Sequence, residues 1–125
     1  MDRATFGSEE EFPAAVVVRL VGEVDLATAE HAGERLRAAE AVAVADTPAA
    51  VVVLDLTQVT YLGSVGLAML VEHNQLCTAL GSRLCVVVGT NRSVLRPIQV
   101  ATLDSVLTIV ASEAEAVAPP RAEYG

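Results

Sequence analysis

The chain has 125 residues, 53% of them hydrophobic and 3% aromatic, with no Trp and a formal net charge of −8 at pH 7. That length holds one core and that hydrophobicity excludes a disordered chain. Few rings leave little for a base-stacking platform, and a net acidic chain with scattered arginines opposes nucleic acid and anionic membrane surfaces. The basic residues number 8, all of them arginine; without lysine there is no phosphate-loop NTPase, Schiff-base enzyme or lysine-dependent receiver.

In chain order, residues 1–13 read as an N-terminal arm. It carries the acidic run Glu9–Glu11 and Pro13, and a candidate edge strand at Ala4–Phe6 that leaves a homodimer open. Residues 14–118 read as the single domain and 119–125 as a C-terminal tail. Short Val-rich runs without polar alternation, at 15–21, 51–56, 84–88 and 106–110, predict strands covered on both faces. Between the first two, residues 27–41 predict a helix with Ala29, Ala32, Leu36 and Ala39 inward, followed by an irregular connection over 42–50. The longest helix is expected at 64–80, its inward stripe formed by Val65, Ala68, Met69, Glu72, Leu76 and Leu80, thickened by Leu67, Leu70 and Val71, and stopped by Gly81. Asn91 is the expected N-cap of a helix over 91–100 that Pro97 ends or kinks. Ser112 and Glu115 form a capping box for a last short helix. The alternation predicts an α/β fold: a small, mostly parallel or mixed sheet of four to five strands with alternating helices packed on it.

The two cysteines, Cys77 and Cys85, are expected as buried free thiols, and with His31 and His73 they show no metal-ligand spacing. Both histidines are expected on solvated helix faces. No signal-like segment opens the chain and no apolar run reaches the ~18 residues of a membrane span, so a soluble cytoplasmic protein is expected, with no cofactor or metal.

The chemistry concentrates in "YLGSVGL", residues 61–67, where a strand turns into the longest helix. A nucleophile elbow needs glycine two residues either side of the serine; Gly66 fits, but Leu62 stands on the other side. A nucleotide cradle lacks its lysine and its ribose-binding acid. A helix start capped by Ser64, with Gly63 free to turn and Gly66 leaving the first turn bare, is a sufficient structural account.

The whole stretch 51–88 resembles the core of the STAS family, the bacterial anti-sigma factor antagonists. The resemblance rests on Asp55-Leu56-Thr57 at the end of a buried strand and on Leu62-Gly63-Ser64-Val65-Gly66-Leu67 opening a helix. Gly22-Glu23-Val24-Asp25 is similar to a second family signature, and the likeness spans residues 14–118. It implies a binding module rather than an enzyme. Such a module binds an anti-sigma factor, often a serine kinase, frees a sigma factor for transcription, is ejected when the turn serine is phosphorylated, and is restored by a PP2C-type phosphatase. On this chain Ser64 is then the phosphoacceptor. Asp25, Gly63, Ser64, Val65, Gly66 and Leu67 face the partner, while Asp25 reads equally well as a cap for the following helix. Asp55 and Thr57 close a strand end by local side-chain bonds. Gly63 departs from the family pattern, which has Asp before the serine. An unswitched scaffold or small-ligand-sensing module is the alternative.

Overall fold

The computed structural model describes residues 14–46 and 49–117; the expected strand at 4–6 and the tail at 119–125 lie outside these. The elements are β1 (Ala15–Val24), α1 (Ala29–Val44), β2 (Val51–Leu62), α2 (Ser64–Ala79), β3 (Arg83–Val87), α3 (Arg92–Val100), β4 (Thr108–Val110) and α4 (Glu113–Val117), with a 3-10 turn at Leu103–Ser105. The sheet order is β1-β2-β3-β4 and every pairing is parallel. The alternating α/β architecture read from the Val-rich runs is therefore the architecture of the fold.

β2 explains why those runs lack alternation. Val52, Leu54 and Leu56 join the larger core with residues of β1, β3, α1, α2 and α3. Val51 and Val53 face the other way, onto Cys85, Val87 and Ala116 of α4. A strand covered on both faces has no solvent side to display in its sequence.

Several boundaries differ from the sequence reading. α1 runs on to Val44, so the irregular connection begins only at Ala45. α3 ends at Val100 as expected, with Pro97 inside it and not terminating it. Its N-cap is Asn91 as expected, whose side-chain oxygen accepts from Ser93 N at 3.0 Å. β4 is confined to Thr108–Val110. α2 ends in a Schellman motif: Ser82 N donates to Cys77 O (2.8 Å) and Gly81 N to Thr78 O (3.1 Å), with Gly81 at φ +82°. Half of the capping box forms as expected, Glu115 N donating to Ser112 Oγ, but the Glu115 carboxylate takes the amide of Ala111 instead of that of Ser112.

β2 also extends six residues past Leu56. Asp55 is not at a strand end but beside an irregularity in the β1–β2 ladder, where Arg19 pairs with Asp55 but Val21 with Gln58. Asp55 Oδ1 accepts from the amide and the hydroxyl of Thr57, at 2.8 and 2.7 Å, which holds the local turn of the chain. From α3, Asn91 Nδ2 donates to the carbonyls of Leu56 and Val59 and pins the same segment from the other side.

Burial pushes the Asp55 carboxyl up, but the Thr57 amide and hydroxyl and the Arg19 charge outweigh it, and the group lies below its ordinary value of 3.8. Folding thus favours the ionised form. The stabilisation is present above pH 3.8 and is lost as pH falls through the lower, folded value. Asp55→Asn is expected to cost about 1 kcal/mol at pH 7 and to flatten the loss of stability on acidification, as read from urea midpoints between neutral and strongly acidic pH.

Candidate functional site

The two turns singled out in the sequence leave from adjacent strand ends. Val24 pairs with Leu62 in the last step of the β1–β2 ladder, and Gly63 N donates to Val24 O at 3.0 Å. The turn 25–28 and the turn 63–67 therefore stand side by side at the C-terminal edge of the sheet, at the N-terminal ends of α1 and α2.

At the first turn, Asp25 Oδ1 accepts from Ala27 N (3.0 Å) and Thr28 N (3.2 Å), and Thr28 Oγ1 accepts from Asp25 N (3.0 Å). Thr28 Oγ1 in turn donates to Glu23 O at 2.8 Å. Asp25 thus organises the chain before α1, whose N-cap residue is Thr28. Next to it Leu26 stands in water, 82% exposed.

At the second turn the expected capping role fails. The N-cap of α2 is Gly63, in an extended conformation, and Ser64 is the first helical residue with no side-chain capping bond. The first helical hydrogen bond runs from Leu67 N to Gly63 O at 3.0 Å. Ser64 is exposed, and among the described residues its hydroxyl has no hydrogen-bond partner. It stands beside the unsatisfied amides of a helix start whose first turn holds no acidic side chain, the electrostatic setting that tolerates an added anion.

The flanking glycines have different reasons. Gly66 is buried, and a Cβ there would lie 2.5 Å from Leu62 Cδ1 and 3.1 Å from Val24 Cγ1, so its bare backbone lets α2 start directly on the ends of β1 and β2. Gly66→Ala is expected to destabilise by about 1–2 kcal/mol, since overpacking exceeds the helix-propensity gain of alanine; a lowered melting temperature checks this. At Gly63 a Cβ would lie 3.1 Å from Tyr61 Cε2 and 3.2 Å from Tyr61 Oη. A half-exposed aromatic ring therefore leans over the position where the family pattern has aspartate. Val65 and Leu67 are partly buried. Tyr61 and Leu26 carry no motif, and only their exposure beside the turn reveals them.

A second polar cluster was misread from the sequence. His73, expected on a solvated face, is 1% exposed, and its Nδ1 lies 2.6 Å from Oε2 of Glu40 on α1, itself 3% exposed. Cys77 Sγ is 3.8 Å from the same oxygen. Burial, and then the Glu40 carboxylate, push the Cys77 thiol up to about 12, so it stays protonated and unreactive. Cys85 is likewise buried and free, its thiol raised by burial against the opposing pull of Arg83. Among the described residues no group of three or more His, Cys, Asp or Glu is placed to hold a metal ion, and no helix is long and apolar enough to cross a membrane.

The fold recurs in known proteins. An anti-sigma factor antagonist from Mycobacterium paratuberculosis is 27% identical over 86% of each chain, with a TM-score of 0.71. The unphosphorylated form of the anti-sigma factor antagonist SpoIIAA superposes with a TM-score of 0.61 at 20% identity, over 82% of this chain and 84% of that one. A sulfate transporter family protein from Wolinella succinogenes shares the fold at 15% identity and a TM-score of 0.60, over 93% of each chain. A comparison with curated proteins finds no relative of significant sequence similarity. The STAS domain family model matches residues 9–116, and with most of the chain inside that match the protein belongs to the STAS domain family.

Proposed function

We propose that this chain is an anti-sigma factor antagonist: a binding module, not an enzyme, that engages an anti-sigma factor of the serine-kinase kind and is released when that kinase phosphorylates Ser64. The observation that carries the reading is Ser64 itself, exposed and without a hydrogen-bond partner among the described residues, at the first position of α2 beside the turn that Asp25 organises. The likeness to the Mycobacterium paratuberculosis antagonist supports it. In this reading Asp25, Ser64, Val65 and Leu67 form the partner-facing edge, which the buried Gly63 and Gly66 shape from beneath, and a PP2C-type phosphatase resets the switch in the cytoplasm.

The physical logic is that a phosphoryl group adds about −1.5 to −2 charges at pH 7 to a helix start that tolerates them, so the fold survives while the docked surface does not. The test is co-purification of the chain with the anti-sigma kinase encoded in the same genome, with and without ATP, for the native protein, Ser64→Ala and Ser64→Asp. ATP-dependent release of the native chain alone, with Ser64→Asp never bound, is the expected result. One observation favours an unswitched scaffold instead: the Tyr61 ring over Gly63 replaces the usual carboxylate beside the serine. That reading predicts that all three proteins bind equally.

A further inference from the structure

Between α1 and α2 runs a groove of about 260 Å3 whose wall includes Gly33, Arg37, Val65, Ala68, Met69 and His73. Three features of it go unused by the fold. His73 Nδ1 is engaged by Glu40, but Nε2 is buried and has no hydrogen-bond partner among the described residues. An unpartnered buried nitrogen is destabilising, because it has left water for no other bond. Gly33 is a buried glycine within α1, where alanine would be the better helix former. Yet a methyl there would fit: its nearest neighbours would be Arg37 Nη1 at 3.5 Å and His73 Nε2 at 3.9 Å, both ordinary contacts. The glycine thus leaves open the one point that both the guanidinium and the orphaned nitrogen reach. Arg37 forms no ion pair among the described residues.

We propose that this groove is a binding site for a compact aliphatic carboxylate, its carboxyl group held at the Gly33 gap between Arg37 and His73 Nε2, its chain lying on Val65, Ala68 and Met69. A carboxyl group suits either state of the ring: as carboxylate it accepts Nε2–H of an imidazolium, and as an acid it donates to the neutral ring. Glu30 and Glu72 also line the groove and are placed to read an α-ammonium, which would make the ligand an amino acid. Occupancy would put the ligand against Val65, the neighbour of Ser64. The inference uses nothing about Ser64, and its test contains no partner protein, so it stands or falls apart from the switch.

The experiment is titration of the 15N-labelled full chain with isovalerate, valine and isovaleramide, following the imidazole nitrogens of His73, with exposed His31 as internal control. Isovalerate or valine is expected to shift His73 Nε2 and to saturate with a dissociation constant on the order of 1 mM or below. Valine binding at least about tenfold tighter assigns an amino acid; the reverse order assigns a simple carboxylate. Gly33→Ala, which fills the gap while raising the melting temperature, and Arg37→Gln should each weaken binding by about tenfold or more. A His73 ring that does not move, or that moves equally with isovaleramide or in Gly33→Ala, overturns the proposal.

Discussion

Ser64→Asp is expected to weaken binding to the anti-sigma kinase by about a hundredfold or more, equivalent to roughly 2.7 kcal/mol, and to leave the melting temperature almost unchanged. The two halves of that result come from the same geometry. Within the protein, position 64 is exposed and opens α2, where a negative side chain gains about 0.3–1 kcal/mol from the helix macrodipole and displaces no hydrogen bond. At the interface the charge enters a surface that must exclude water around Gly63, Val65 and the Asp25 turn, where an unpaired or like-charged group costs several kcal/mol. Ser64→Ala removes only an unengaged hydroxyl, so it should bind at native affinity, resist ATP-driven release and take up no phosphate. Titration calorimetry and intact-mass measurement read all three. Native-affinity binding by Ser64→Asp, or full phosphorylation of Ser64→Ala, would sink the assignment.

The turn proposed here as a switch could be picked out in the sequence because it is a local motif: a serine and two glycines between a strand and a helix are adjacent in the chain wherever the helix packs. The details that depend on packing were less so. The Val-rich runs were enough for a parallel sheet, yet the polar residues Thr57, Gln58 and Thr60 hid the second half of β2, which pairs with β1 through an irregular register. Ser64 has the chemistry of an N-cap, but with Gly63 N bonded to Val24 O the helix begins one residue earlier, Gly63 taking the N-cap place and Ser64 the first helical position. In α2 the expected stripe is rotated by one residue: Gly66, Met69, Leu70, His73 and Cys77 are buried, whereas Glu72, Leu76 and Leu80 are exposed. Leucines outvote a histidine in any count of apolar spacing. The missing signal was that Glu40 also falls on the buried stripe of α1, with Leu36, Ala39 and Ala43, so that each inward polar residue has the other as its reason. Such a pair is invisible until two helices distant in sequence are brought together.

That pair gives the largest expected effect on stability. Glu40 and His73 sit 2.6 Å apart between α1 and α2, both almost wholly buried. Removing one partner strands the other's polar group in the core, which typically costs about 3–5 kcal/mol. His73→Leu or Glu40→Met alone should therefore destabilise by roughly 3 kcal/mol, lowering the melting temperature by about 10 °C at this chain length. The double variant replaces both groups with apolar ones of similar size and should recover most of the loss, because it also removes the desolvation burden of Glu40 Oε1 and His73 Nε2, neither of which has a partner among the described residues. The diagnostic quantity is the coupling in the double-mutant cycle, expected at about 4–5 kcal/mol by urea denaturation if both single losses are largely absent from the double. Additive losses would show that the two side chains do not act as a pair. Since His73 lies about two and a half turns along α2 from Ser64, the double variant should keep Ser64-dependent release intact, so that losing stability and losing the switch are separable by mutation.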